Sequence, residues 1–372
     1  MNRLIFIRIL CSVSLGFCWN GSYQFLAAAV LFPVVIYYSS SRLEAFLLAL
    51  LYFLCATRGL IFGSIQYFNS GLFLGVGIWI SGNLILSLIY SILWTKSSAR
   101  RVFQLFLALL LTAFPPIGAI GWAHPMLAAG VIFPGWGWWG VFMTLALIFL
   151  LMKKPVQVTL LTVCAVFFAQ FSPDPKRKIP FSGIRTHYQY DQKRDFLSDY
   201  FRQEDLVKLA KKSEAEFILL PEFSGGVWTD ATRDYWQKSL DTGQSVFLGV
   251  EEHDETGRFN AIADTKSGQI IYHQRQPIPL SMWKPWSEES FKADWFKNPV
   301  SIVREKKIAF LICYESLLIW PALHSLSGSP DALAVTGNYW WAKNTSIPGI
   351  MESGAISWSR LFSIPLIMGI NF

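Results

Sequence analysis

Polar and apolar positions divide the chain into two unlike halves. Up to Phe171, apolar stretches run at about 4–19, 23–38, 43–62, 71–94, 102–121, 136–152 and 156–171, separated by short polar or Gly/Pro breaks. Such lengths suit membrane spans, the shorter stretches lying at the lower limit, so the pattern predicts seven helical crossings. Residues 172–180, SPDPKRKIP, read as a polar linker. Beyond it the apolar runs shorten. They predict strands at 181–187, 217–220, 245–250, 260–264, 269–273, 308–312 and 332–336, with a hairpin turn at Lys266-Ser267-Gly268. Asp195 to Lys212 places Phe196, Tyr200, Phe201, Leu206 and Leu209 at helical spacing. This alternation implies a layered α/β domain over 181–372 with sites at strand ends, long enough to bury its own core.

The stretch Phe310 to Pro321, FLICYESLLIWP, carries the clearest chemistry. An apolar run that stops at Cys313-Tyr314-Glu315 and then resumes suits a buried strand feeding a turn and a helix. A residue at such an elbow is presented to a pocket. Cys313 has no second cysteine in its half, so it is either a buried core thiol or a nucleophile, and its polar neighbours favour the nucleophile. The strand at 217–220 likewise runs into Pro221-Glu222. A cysteine nucleophile needs a base or a positive neighbour, and a carboxylate in a partly desolvated pocket can be that base. Alone, Glu222 reads as a solvated loop carboxylate; opposite Cys313 it reads as the base.

The chain is 53% hydrophobic and 16% aromatic, with a mean hydropathy of +0.37, too apolar for an ordinary soluble protein. Only 9 of its 32 basic and 1 of its 25 acidic residues precede Ser172, so the formal +7 belongs to the apolar half. That partition argues against a nucleic-acid partner. Arg3 and Arg8, Arg42, the group Lys96, Arg100 and Arg101, and the pair Lys153 and Lys154 mark alternate breaks, while the intervening breaks carry no Lys or Arg. The positive-inside rule then puts the N-terminus in the cytoplasm and the domain after Phe171 on the exported side of the membrane. Trp136, Trp138 and Trp139 suit an interfacial belt on that side. The other cysteines, Cys11, Cys18, Cys55 and Cys164, lie within apolar stretches, and no Cys/His spacing points to a metal or cofactor.

These features together resemble the apolipoprotein N-acyltransferases of the nitrilase (carbon–nitrogen hydrolase) superfamily. The matching pieces are Pro221-Glu222, Phe259-Asn260, Gly268, Tyr272, Pro279, Cys313-Tyr314-Glu315, Gly337-Asn338-Tyr339-Trp340-Trp341, Pro365 and Asn371. The resemblance implies an αββα sandwich mounted on a membrane bundle. It implies Glu222 as base, Cys313 as the residue that carries an acyl thioester, and Glu315 in support. Its partners are a phospholipid acyl donor and a lipoprotein or other amine acceptor, with no cofactor. The family's oxyanion lysine does not carry over, because its place holds Gln274. Arg275 and Lys284 are the positive residues that could substitute. Trp283, Trp286, Trp340 and Trp341 follow site strands together with Asn338, where they suit an acyl chain or a lipid interface as well as ordinary loop packing.

Phe259 in place of the pattern's Tyr, a short step from Gly268 to Tyr272 and the missing lysine suggest a divergent branch. The conjugal-transfer proteins of the TraB type, membrane proteins with a related domain, are one branch this chain resembles. Three functions follow as expectations: a membrane acyltransferase, an amidase-type hydrolase, or a catalytically degenerate component of conjugation or envelope assembly.

Overall fold

The computed structural model describes residues 3–173, 175, 180–188, 196–240 and 243–372, with backbone alone at 196–198. Much of the expected linker, and the predicted helix start at Asp195, lie outside the described residues.

The chain forms two compact units. The first begins with helices α1 (Arg3–Phe17), α2 (Phe32–Tyr37), α3 (Arg42–Ala56), α4 (Gly59–Phe68), α5 (Leu72–Ile92), α6 (Ser98–Ala113), α7 (Ala129–Ile132), α8 (Gly137–Lys153) and α9 (Pro155–Ala169). Helix thus occupies every stretch expected to span. By length and composition, however, only α5 among the described residues is long and apolar enough to cross a membrane by itself. The number rises to three if two bent pairs each count as one span: α3 with α4, and Pro125–Ile132 with α8. Breaks split two of the stretches, while helices such as Tyr23–Tyr37 and Pro155–Ala169 are too short. Thr57-Arg58 interrupts one pair, and Pro134-Gly135, with Gly135 in the left-handed region, turns the other through 119°. Large apolar side chains such as Phe73, Phe103, Trp139 and Phe171 face outward. Arg58 donates to the carbonyls of Trp19 and Cys55 and covers the Phe17 ring, so its charge is held inside this unit.

The expected boundary at 171–181 is incomplete, because the first unit also includes Leu317–Trp320 and Trp341–Ser363. The helix Ile347–Phe362 joins it through small residues. A side chain on Gly130 would strike the Ser357 carbonyl, Gly21 lies against Gly349, and Ser357 and Ser353 donate to the carbonyls of Leu127 and Gly21 at 2.6 and 2.8 Å. Close backbone approach of this kind tolerates only glycine and serine.

The second unit is a two-sheet α/β sandwich. One sheet has the order β1 (Phe181–Gly183), β3 (Phe217–Leu219), β4 (Ser245–Asp254), β5 (Gly257–Asp264), β6 (Gln269–His273). The other has the order β2 (Arg185–Thr186), β10 (Leu366–Asn371), β9 (Ala332–Asn338), β8 (Lys306–Ile312), β7 (Ser301–Val303). The single strand expected at 181–187 is split between the sheets at Ile184, whose N–H donates to Leu219 of one sheet and whose carbonyl accepts from Ile370 of the other. Alternation along the strands makes the sandwich. Phe247 and Phe310 meet between the sheets with ring centroids 5.5 Å apart. The alternate residues Val246, Leu248 and Val250 face outward with Ile218 and Leu220, under Leu206, Val207 and Ala210 of α10 (Phe196–Lys211) and Trp236 of α11 (Asp230–Ser239). Where the sheets come closest there is no room for side chains, and Gly183 and Gly369 sit against the Met368 and Leu219 carbonyls.

Candidate active site

β3 and β8 run in the two facing sheets, and both end in a reactive residue followed or held by unusual backbone. Cys313 ends β8 with φ +51°, and Phe223, next to Glu222, has φ +56°. A left-handed conformation at a residue other than glycine is strained and persists only where its surroundings enforce it. At Cys313 the enforcement comes from Glu315. Its Oε1 accepts from the backbone N–H groups of Arg275 (2.6 Å) and Gln276 (3.3 Å). Its Oε2 accepts from Ile312 N–H (2.7 Å) and the Tyr272 hydroxyl (2.9 Å). One carboxylate therefore ties the end of β8 to the segment that follows β6 and fixes the elbow on which the thiol sits.

Glu222 and Cys313, about ninety residues apart in the chain, are hydrogen-bonded to each other. Glu222 Oε1 also accepts from Asn260 Nδ2 (2.6 Å), and Oε2 from the Asn338 N–H (3.0 Å). Both reactive residues are buried. Burial pushes the Glu222 carboxyl up to about 7, against the pull of Asn260, Cys313 and the Asn338 N–H, while the charge of Glu315 adds to the rise. Burial likewise lifts the Cys313 thiol well above its usual range, and Glu222 adds to it; the backbone N–H groups of Asn338 and Tyr314 pull the other way. Above pH 7 the pair is consequently a thiol donating to a carboxylate. Glu222 is placed to take the proton.

Gln274 lies beside this pair. Its backbone N–H donates to the Asn260 carbonyl (2.7 Å), its Nε2 to the carbonyl of Ile312 just before Cys313 (3.0 Å), and its Oε1 accepts from Asn260 Nδ2 (2.8 Å). An amide nitrogen has two hydrogens, so one remains for a substrate oxyanion.

Arg275 does not face the pair. Adjacent strand positions point to opposite sides, and its guanidinium donates to Ser325 Oγ (2.8 Å) and the Asn298 carbonyl (2.7 Å) and covers the Tyr272 ring. The expectation that Arg275 replaces the lysine charge is therefore corrected: its charge is spent on scaffold. Lys284 has its backbone N–H on Ser290 Oγ (2.8 Å), and no hydrogen bond or ion pair brings its ammonium to Glu222 or Cys313. Asn338 serves through its backbone, as described, while its side chain is held by Asn371 (2.9 Å).

The tryptophans separate. Trp283 packs edge-on against Trp295 with centroids 5.9 Å apart, Trp286 is exposed, and Trp340 is half-buried in the turn Trp340–Ala342. Trp341 belongs to the first unit, against Gly63 and the Tyr67 ring. Asn260 is the site residue that strand periodicity could not single out. The signal was available in its motif partner, Phe259-Asn260, and in its place on a strand next to β4.

No protein-family model matches the chain. A probable conjugal transfer protein TraB of Sinorhizobium fredii is 34% identical over 380 residues, spanning 99% of this chain and 98% of that protein. The conjugal transfer protein TraB of Agrobacterium fabrum is 32% identical, over 98% and 92%. The chain belongs to the TraB family. Solved structures similar to it include an amidase from Nesterenkonia sp. (16% identity, 54% of this chain and 79% of that one, TM-score 0.37). Another is a carbon–nitrogen hydrolase from Helicobacter pylori (12%, 50% and 72%, TM-score 0.36). At those scores the chemistry of this TraB-family site has to come from its own residues.

Proposed function

We propose that this TraB-family protein is a multi-pass inner-membrane protein whose exported α/β unit transfers an acyl group through a thioester on Cys313. The observation that carries the reading is the buried pairing of Cys313 with Glu222 at the ends of strands in the two facing sheets, a thiol set against a carboxylate that can serve as its base. Cys313 Sγ attacks the ester carbonyl of a phospholipid acyl chain while its proton passes to Glu222, which returns it to the departing lysophospholipid oxygen. A neutral amine then opens the thioester. The amide is released, and the amine's proton passes by way of Glu222 to Sγ. The outward apolar side chains of the first unit and its alternating basic breaks support a lipid setting for the donor. In that orientation a reporter enzyme fused after Phe372 is active on the exported side and one in the Lys96–Arg101 loop is cytoplasmic; finding both on one side overturns the topology.

The neutral Gln274, where the resemblance places a lysine, favours a second reading, a catalytically silent component of conjugal transfer. Intact-mass analysis of protein purified from membranes separates the two. Acyl transfer predicts an acyl adduct on wild-type protein that disappears in Cys313→Ser, together with lower conjugation frequency in that variant. A protein never acylated, whose Cys313→Ser variant conjugates normally, belongs to the silent reading.

A further inference from the structure

Every hydrogen-bond partner of Glu222 is neutral: the Asn260 amide, the Asn338 N–H and the Cys313 thiol. Asn260 gives its amide hydrogens to Glu222 and to Gln274 Oε1, and among the described residues its own buried Oδ1 has nothing to accept from. The corner thus gathers acceptors: a carboxylate, an unmet amide oxygen, and a second amide oxygen with a lone pair to spare. The buried guanidinium of Arg275 is directed at Ser325 and the Asn298 carbonyl instead. Glu315, by contrast, has the Arg275 charge acting on it. A buried carboxylate without a cation is costly, and a buried acceptor without a donor adds to the cost.

We propose that the corner formed by Glu222, Asn260 and Gln274 binds a primary ammonium group of a substrate, which supplies the positive charge that the described residues do not bring to Cys313. The three N–H donors of an ammonium match the three acceptor groups. With the ammonium bound, its charge offsets that of Glu222 and favours the ionised form of the adjacent thiol, so Cys313 reaches the thiolate more readily. The inference rests on the acyl-transfer reading and sharpens it: the amine-bearing substrate is in place before the thioester forms. The ammonium belongs either to a phosphatidylethanolamine headgroup or to the N-terminus of an acceptor chain.

The test is the rate at which iodoacetamide alkylates Cys313 in the purified full-length protein, followed on the Cys313 peptide by mass spectrometry. A neighbouring cation lowers a thiol pKa by one or more, so ethylammonium chloride is expected to speed alkylation about tenfold over sodium chloride at equal ionic strength. Tetramethylammonium, with charge but no N–H, is expected to give no gain. The Gln274→Lys variant should react fast without ethylammonium and gain nothing from it. No gain over sodium chloride, or an equal gain from tetramethylammonium, overturns the proposal without reference to any variant. Phosphatidylglycerol vesicles with and without phosphatidylethanolamine, and a short peptide with a free or acetylated N-terminus, identify the source; a gain from neither overturns the assignment to a substrate amine. Iodoacetamide needs no acyl donor. Ammonium-dependent alkylation without an acyl adduct therefore sinks acyl transfer alone, and an adduct without ammonium dependence sinks this inference alone.

Discussion

The Glu222→Gln variant is expected to acylate Cys313 roughly 10²–10⁴-fold more slowly than wild type, and yet to be the more stable protein above pH 7. Both effects have one cause. The Glu222 carboxyl titrates at about 7 in the folded protein against an ordinary value of 4.5. Between those two values the folded state holds a proton that the unfolded state has already released. Raising the pH through the window therefore weakens folding, and the full loss is about 3 kcal/mol. A glutamine has no charge to bury and escapes this loss, but it cannot take the thiol proton. Its oxygen still accepts the Asn338 N–H, and Asn260 must turn its amide to meet the new nitrogen. Unfolding in detergent from pH 5 to pH 8 should show wild-type stability falling and the variant's holding level. Equal pH dependence in the two proteins removes the buried charge from Glu222, and undiminished acylation removes its role as base.

The Glu315→Gln variant is expected to lose 3–5 kcal/mol of stability, the cost of stranding a buried charge by neutralising its partner. Four donors converge on this carboxylate: the N–H groups of Ile312, Arg275 and Gln276 and the Tyr272 hydroxyl. Its charge also acts on the buried Arg275. A carboxamide keeps one acceptor oxygen and turns an NH₂ toward donors, so at least one of the four hydrogen bonds fails. Because those bonds hold the end of β8, the elbow at Cys313 should loosen, and alkylation of Cys313 should rise together with the fall in the denaturant midpoint. A variant within about 0.5 kcal/mol of wild type, the scale of an ordinary surface substitution, would show that Glu315 does not brace the elbow.

Some of this was legible in the order of residues alone. The alternation from Phe217 to Thr336 located six strand segments, and the polar stops after Leu220 and Ile312 put Glu222 and Cys313 at strand ends. These are local properties: a strand's period and its termination are set by residues adjacent in the chain. The resemblance carried by the same residues led to the family as well. The strands at 301–303 and 366–371 went unseen: β7 is three residues at the edge of its sheet, and β10 is placed by pairing with β2 and β9, far from it in the chain.

Whether Glu222 and Cys313 touch depended on two sheets stacking in one register, an arrangement that no stretch of sequence encodes by itself. Strand alternation set Arg275 opposite to Gln274, and the packed structure supplied what it meets there, Ser325 and the Asn298 carbonyl. Only the packed structure showed that Asn260 joins Glu222 to Gln274, since its two acceptors come from different strand ends. It alone assigned the helix Ile347–Phe362 to the first unit, because glycine and serine at Gly349, Ser353 and Ser357 look like an ordinary surface stripe until Gly21 and Gly130 are brought against them. Side-chain chemistry is written locally, whereas which groups neutralise, orient or crowd one another is a property of distances across the fold.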